Sequence, residues 1–171
     1  MASTDNPNPV VYEGSTAGAL KLRSLDELMV PDMDCKIEDA LTSQEVFESV
    51  RYLQDPEHPD LSLEQLKVIE EKNIFIQDSW VFVRFTPTVP TCSVATLIGL
   101  TMKAKLQRSL PRKYKVDVEV TPGTHDQEQQ VNKQLNDKER VAAALENPAL
   151  RTLINRGIAG TDKLVGLSLL E

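Results

Sequence analysis

The sequence has few of the residues that build covalent or membrane scaffolds. It contains only two cysteines, Cys35 and Cys92, which are too few for a disulfide framework and fit a reducing compartment. No apolar run approaches the roughly 18–20 residues of a membrane span. Residues 1–5 also lack the charged and then apolar start of a secretory signal. We therefore expect a soluble, intracellular protein with no membrane segment.

Basic residues are in the minority. The 171 residues include 19 Lys and Arg against 26 Asp and Glu, which gives a formal net charge of −7. Sequence-independent nucleic-acid binding depends on cations that neutralise phosphates, so this balance argues against direct binding to nucleic acid. The acidic excess is concentrated in residues 1–40, which hold eight acidic and three basic side chains.

The distribution of apolar residues predicts one folded domain between two tails. Hydrophobic residues make up 40% of the chain, enough for a single core without metal or disulfide support. We predict a disordered acidic tail over residues 1–40, a domain over 41–156 and a C-terminal tail over 157–171. Two apolar islands in the first tail, residues 10–12 and 25–30, could each dock on the domain or on a partner.

Hydrophobic periodicity predicts the elements of this domain. Thr42 and Glu45 have capping-box spacing and precede an apolar stripe that favours a helix to about residue 54. The remaining patterns predict strands over 67–77, 80–85 and 115–121, a buried helix over 93–110, and helices after residue 126, with 136–139 able to continue a helix or to break and recap it. This order predicts an α+β fold, a single domain with a small three-stranded mixed β-sheet packed with helices.

Cys92 is the first candidate for chemistry. It lies between Pro90 and Ser93, a good cap residue, so the sequence places it at the first turn of a buried helix. Free amides and the helix dipole favour a thiolate at that position. The functional interpretation is a reactive or metal-ligating thiol, and the alternative is a small apolar residue at the start of the helix.

Six further residues are candidates to support this thiol. They are Asp55, Glu57, Thr86, Thr88, Ser93 and His125. The carboxylates could contribute to a site or only organise a turn, and the hydroxyls could bond a thiolate or loop amides. His125 is a candidate base for Cys92, with a surface histidine as the alternative, and His58 has the same two interpretations.

The sequence contains no recognisable motif for a resident metal or nucleotide. No His, Cys and carboxylate cluster has zinc spacing, and two distant cysteines cannot alone supply the four thiolates of a typical iron–sulfur cluster. A phosphate-binding glycine loop and a nucleophile elbow are also missing. We therefore expect no stably bound cofactor.

Two polar stretches are candidate docking surfaces. The basic stretch, residues 103–115, includes Lys103, Lys105 and Arg108 and fits either an acidic partner or the C-terminal end of a helix dipole. The polar block, residues 132–140, fits either a docking surface or a solvated helix face. Its candidate contact residues are Asn132, Lys133, Asp137, Lys138, Glu139 and Arg140.

Five segments occur in this order in one known family. They are DPEHP at residues 55–59, RFTPTVP at 84–90, CSVATLIGL at 92–100, TPGTH at 121–125 and NKQLNDKERVAAALEN at 132–147. Over residues 42–156 the chain resembles the cytosolic iron–sulfur assembly component 2 family, the eukaryotic branch of a group that includes bacterial iron–sulfur maturation and phenylacetate-degradation assembly proteins. Three segments, DPEHP, TPGTH and NPVVYE at residues 8–13, resemble the sequences of the B-type branch.

The resemblance implies a non-enzymatic adaptor in the cytoplasm and the nucleus. Family members join a WD-repeat propeller subunit and a HEAT-repeat scaffold subunit in a complex that delivers iron–sulfur clusters to apoprotein clients. Homodimer formation is an open alternative for the assembly state.

The family's reactive cysteine corresponds to Cys92, but the family usually has His directly before it, and this chain has Thr91. The change removes an imidazole that could act as a second ligand or proton partner. The resemblance therefore supports targeting more strongly than direct cluster binding. Two alternatives stay open: a cysteine-dependent enzyme with Cys92 as nucleophile and His125 as base, and transient ligation of a cluster by Cys92 with a thiolate from another chain.

Overall fold

The computed structural model describes residues 6–14, 40–159 and 161, and the described part confirms the predicted α+β fold. Its helices and strands are α1 (Ser43–Val50), β1 (Ile74–Gln77), β2 (Trp80–Phe85), α2 (Ala95–Ser109), β3 (Lys115–Val120), α3 (Glu128–Asn136), α4 (Lys138–Glu146) and α5 (Pro148–Ile158). A single 3₁₀ turn, Glu71–Asn73, precedes β1. None of these helices is long and apolar enough to cross a membrane.

The sheet has the predicted mixed topology. The strand order is β1-β2-β3, with β1 and β2 antiparallel and β2 and β3 parallel. Helix α2 connects the parallel pair, because parallel strands need a crossover. Alternate residues of β2 and β3 are buried against the helices, namely Val81, Val83, Phe85, Val116, Val118 and Val120.

Strand β1 is shorter than the sequence predicts. We expected a strand over residues 67–77, but only Ile74–Gln77 pairs with β2. Lys67 has a positive φ of 52°, a conformation that extended strands do not contain, and it ends a turn in which Ser62 and Gln65 exchange hydrogen bonds. The apolar residues Val68 and Ile69 are therefore buried after this turn and outside the regular strand.

Helix α1 begins at the predicted capping box. The Thr42 hydroxyl accepts a hydrogen bond from the Glu45 amide, and the Glu45 carboxylate accepts one from the Thr42 amide at 2.8 Å. Val46, Phe47 and Val50 form its buried stripe. The helix ends at Val50, about one turn earlier than predicted.

Helix α2 is the centre of the domain. It packs against α1, α3, α5 and β3, so that every residue from 98 to 106 is buried. Gly99 permits the closest of these approaches, since a β-carbon there would lie 2.4 Å from Leu135 Cδ1. The predicted burial of the apolar half is confirmed, and it extends into the basic half.

The C-terminal part of the chain forms three separate helices, because the chain breaks at Asp137 and Asn147 and each of these residues caps the next helix. The Asp137 carboxylate accepts hydrogen bonds from the first amides of α4, and the Asn147 side chain does the same for α5. Helix α5 runs to Ile158, which is buried together with Thr161. The helix thus extends two residues past the predicted domain end at residue 156.

Residues 6–14 lie against the domain. The Tyr12 amide donates to the Gln65 carbonyl at 2.8 Å, and the Asn6 carbonyl lies 2.7 Å from His58 Nε2. The first island, residues 10–12, could dock on the domain or on a partner. Its backbone contacts the domain. The second island (25–30), Cys35 and the last ten residues lie outside the described residues.

Candidate functional site

The candidate site lies where two parallel strands end. Because β2 and β3 run in the same direction, the loops after Phe85 and Val120 meet at one edge of the sheet, a common position for sites in parallel sheets. The Thr86 and Thr121 hydroxyls bond each other at 2.9 Å. Thr121 is absent from the sequence-based candidates, although its position directly after a parallel strand is a usable signal.

The loop that carries Cys92 lies at this edge of the sheet, but the Cys92 side chain is buried in the core. Its side chain is 3% exposed and belongs to the central hydrophobic cluster. The residue precedes α2 by three positions, and its carbonyl accepts a bond from the Ala95 amide at 3.4 Å. Its place before the first helical turn and its burial favour the small apolar interpretation over a helix-stabilised thiolate.

The predicted cap at Ser93 is wrong. The N-cap residue of α2 is Val94, whose side chain cannot accept a hydrogen bond, and the helix starts without a side-chain cap. Ser93 lies in the exposed turn before it. The chain bends through two turns after Pro90 before it enters the helix, which displaces the serine from the cap position.

The structure places His125 beside Cys92, where its ring contacts the Cys92 backbone. Its Nε2 lies 3.0 Å from the Cys92 carbonyl oxygen, and its Nδ1 accepts a hydrogen bond from the Gln127 amide at 3.0 Å. An amide can only donate and a carbonyl can only accept, so the contacts define the neutral tautomer with the proton on Nε2. Both ring nitrogens therefore have backbone partners.

A second hydrogen bond joins the same two loops. The Asp126 amide donates to the Pro90 carbonyl at 3.0 Å. Together with the histidine contact, it fastens the loop after β3 to the loop that carries Cys92. These two hydrogen bonds fix the position of the Cys92 loop relative to the loop after β3.

The other supporting residues divide into two places. Thr86 and Thr88 share the Cys92 loop, both half-buried. Asp55 instead accepts bonds from the Glu57 and His58 amides at 2.7 and 3.0 Å, as expected for a turn organiser.

Asp55 also lines a small cavity with Thr101 of α2 and Arg156 of α5. The structure therefore places the Asp-Pro turn at the middle of α2, away from the start of that helix, where the Cys92 loop lies.

The donor set for a metal ion is sparse. Among the described residues, no group of three or more His, Cys, Asp and Glu side chains is arranged to hold one. Cys92 is the described thiol, and the neighbouring imidazole is engaged with the backbone. A cluster would thus need ligands beyond those that the described residues bring together.

Two lysines of the basic stretch are not on a docking surface. Lys103 and Lys105 are each 6% exposed, because the helix that carries them is surrounded on all sides. Lys103 Nζ donates to the Leu135 carbonyl at 2.7 Å and lies 3.9 Å from Asp117 Oδ1. This part of the prediction is corrected. Arg108 is exposed and bonds Asn155 of α5 at 3.1 Å.

The polar block combines structural and exposed side chains. Asn132 Oδ1 accepts a bond from the Val120 amide at 2.8 Å, and Asp137 caps α4, so both hold elements together. Lys133, Lys138, Glu139 and Arg140 are exposed. Beside them, a shallow cavity of about 150 Å³ is lined by Thr96, Leu100, Gln134, Arg140 and Ala144.

Comparison with known proteins gives consistent results. A family model described as "Iron-sulfur cluster assembly protein" matches residues 43–125. The chain is 49% identical over 154 residues to "Cytosolic iron-sulfur assembly component 2B" of Mus musculus, covering 89% of each chain. It is 46% identical over 168 residues to the protein of the same name in Dictyostelium discoideum, covering 91% of this chain and 98% of that one.

A third relative has a different name. The chain is 50% identical over 157 residues to "MIP18 family protein galla-2" of Drosophila melanogaster, which covers 91% of this chain and 95% of the fly protein. Such identity over nearly the whole length of each relative means that the similarity extends beyond the Cys92 loop to the terminal segments.

Proposed function

Because the chain belongs to the cytosolic iron–sulfur assembly component 2 family, its role lies in cytosolic iron–sulfur assembly, and we propose that it acts there as a non-enzymatic adaptor. The partners we propose are a WD-repeat propeller, a HEAT-repeat scaffold and apoprotein clients in the cytoplasm and nucleus. They are the partners that the resemblance of the motifs implies.

One observation carries the choice of an adaptor over an enzyme. The His125 ring bonds the Cys92 carbonyl with one nitrogen and the Gln127 amide with the other. A catalytic pair of cysteine and histidine needs the imidazole within reach of the sulfur and free to accept its proton. Here the ring instead joins two loops, and the sulfur is enclosed by core residues.

We propose in addition that contact with the cluster, as cargo, is transient. Cys92 would supply one thiolate after the 86–94 loop opens, and a partner would supply the others. The sparse donor set among the described residues supports this division. Anaerobic reconstitution followed by absorption spectroscopy tests it: we expect an iron–sulfur spectrum from the complex that is lost in Cys92→Ser. A colourless complex would contradict it.

The experiment for the adaptor role is affinity purification from cells with mass spectrometry. The full chain, Cys92→Ser and His125→Gln should all recover the propeller and scaffold subunits, because neither side chain is a docking contact in this proposal. Recovery of neither subunit by the wild type would overturn it. Turnover of an acyl or disulfide substrate that is lost equally in both variants would favour the enzyme.

A further inference from the structure

The outer side of the sheet carries an aromatic face that lies outside the two stretches considered above as docking surfaces. We define the aromatic face as Phe75 of β1 together with Trp80, Phe82 and Arg84 of β2. These residues alternate with the buried positions of the two strands, so they lie on the opposite side of the sheet from the core. Phe75 remains 48% exposed and Trp80 52% exposed.

Arg84 is held in place by two rings of this face. Its Cζ lies 5.7 Å from the Phe75 ring centroid and 5.0 Å from that of Phe82. The two phenylalanines are directly opposite each other in the β1–β2 pair, with centroids 6.4 Å apart. The guanidinium therefore gains cation–π stabilisation and loses little conformational freedom if it binds a further group.

Within the described residues, Arg84 has no anionic partner. Its Nε is buried and without a hydrogen bond, which is costly for a donor of this strength. Glu119 lies directly across from it on β3, but that carboxylate accepts a bond from Asn136 at 3.4 Å. The next acid of β3, Asp117, accepts a bond from Trp80 Nε1 at 2.6 Å.

We propose that the aromatic face binds an acidic segment of a partner polypeptide, with an Asp or Glu carboxylate on Arg84 and apolar side chains on Phe75 and Trp80. An ordered guanidinium matches a carboxylate in geometry and charge, and half-exposed aromatic residues are typical anchors of protein interfaces. The proposal is independent of the function proposed above.

The charges around Arg84 select the class of partner. Glu119 and Asp117 flank it on β3, and Lys115 Nζ lies 5.4 Å from the Trp80 ring centroid. A polyphosphate such as nucleic acid would meet repulsion from the two carboxylates, whereas one carboxylate among apolar side chains adds a single charge that Arg84 neutralises. The face is therefore complementary to an acidic, apolar protein segment.

The first step of the test identifies the segment. Gln77, which is exposed on the same side of β1, is replaced by p-benzoylphenylalanine in the full chain, and the photo-crosslinked peptide is sequenced. The same photoreactive residue at exposed Glu146 of α4 is the control position. We expect a peptide from a different protein, with an Asp or Glu beside an apolar residue, that is captured from position 77 and not from 146.

The second step measures the contact with that peptide, made synthetically and labelled with fluorescein. Fluorescence anisotropy should show that Arg84→Gln weakens binding at least about tenfold, since an uncompensated interfacial charge is strongly unfavourable. The peptide with its acid changed to the amide should lose as much against the wild type. Combining both changes should add little more, and Arg112→Gln, at an exposed arginine, should leave the affinity unchanged.

Defined results would overturn the proposal. They are a crosslink to residues of this same chain or to a second copy of it, a crosslink to nucleic acid, no crosslink above the control position, or an affinity that does not depend on the peptide's acid. The amide peptide tests the contact with unmodified protein, so the result stands even where Arg84→Gln is poorly folded.

Discussion

Lys103 shows how one buried side chain joins two helices. Its ammonium donates to the Leu135 carbonyl near the end of α3, where the helix dipole favours a cation. Burial lowers the pKa of Lys103 from the ordinary 10.5; Asp117 opposes this shift and Lys138 adds to it. The residue that looked like a docking cation is thus a structural contact held at an electrostatic cost.

This lowered pKa predicts a pH dependence of stability. In the alkaline range below 10.5 the unfolded chain binds more protons at Lys103 than the folded chain, so the free energy of unfolding rises with pH there. We expect Lys103→Met to lack this contribution, so that the wild type gains stability relative to the variant as pH rises. Urea unfolding at several alkaline pH values measures it.

Lys133 is an exposed lysine of α3, and Lys133→Met is the matched control for the comparison of unfolding at several pH values. Its stability relative to the wild type should stay constant over the same pH range. A stability difference between wild type and Lys103→Met that does not change with pH would contradict the explanation by burial.

Gly99 is a second residue at which helix packing overrides local preference. Alanine would favour the helix by up to about 1 kcal/mol, but its β-carbon would lie 2.4 Å from Leu135 Cδ1. Leu135 is fully buried and has little space to move, and overpacking costs about 1–3 kcal/mol. We expect Gly99→Ala to lower the free energy of unfolding by about 1 kcal/mol, measured by urea denaturation.

The double-mutant background identifies the cause of this loss. Leu135→Val removes part of the crowding, so Gly99→Ala should cost less in that background than in the wild type. Equal costs in both backgrounds would show that the close approach of α2 and α3 does not determine the effect.

At the scale of elements, the two C-terminal breaks depend on capping side chains. Asp137 Oδ1 accepts bonds from the Glu139 and Arg140 amides at 3.0 and 3.3 Å. We expect Asp137→Ala to destabilise the domain by about 1 kcal/mol, measured by thermal and urea unfolding. Asp137→Asn keeps the accepting oxygen and should retain most of the stability, whereas equal losses in both variants would exclude capping as the cause.

The N-terminal segment is an element that periodicity could not reveal. Lys67 Nζ lies 3.8 Å from the Tyr12 ring centroid, and the Tyr12 amide bonds Gln65. We expect slower amide hydrogen exchange at Tyr12 than at Val11, measured by NMR in the full chain. Lys67→Ala should speed the exchange at Tyr12, and an intrinsic exchange rate at Tyr12 in the wild type would contradict docking of residues 6–14.

At the scale of the whole molecule, Cys92 is buried, and its loop is bonded to the loop after β3. The side chain is 3% exposed, and His125 bonds its carbonyl. In a Cys35→Ser background we expect iodoacetamide to modify Cys92 about a hundredfold more slowly in the native protein than in denaturant, because modification requires local opening. Mass spectrometry follows the rate.

His125→Ala removes the loop contact and should accelerate this alkylation without unfolding the domain. His58→Ala, a change in the turn at residues 55–59, serves as the control and should leave the rate unchanged. Native modification of Cys92 at the denatured rate would mean that the thiol is accessible, and the interpretation as a core residue would fail.

Much of the fold was predictable because its signals are local. Alternation in β3 and the capping box at Thr42 each involve residues within one element, so short-range sequence carries the information. The predicted β1 was too long because the turn near Lys67 is set by hydrogen bonds between side chains and backbone amides, which the apolar pattern does not reveal. The sequence named Cys92 and His125 as candidates for one site, and the structure places them side by side. The sequence did not reveal which atoms of the two residues bond.

Short-range pattern by itself determined the element order, the mixed three-stranded sheet, the central apolar helix and the family. Tertiary structure alone decided which polar groups are buried and what they bond. Lys103 meets Leu135 from 32 positions away and His125 meets Cys92 from 33. Such contacts depend on how whole elements pack, because burial is a property of the surrounding chain and not of the residue that is buried.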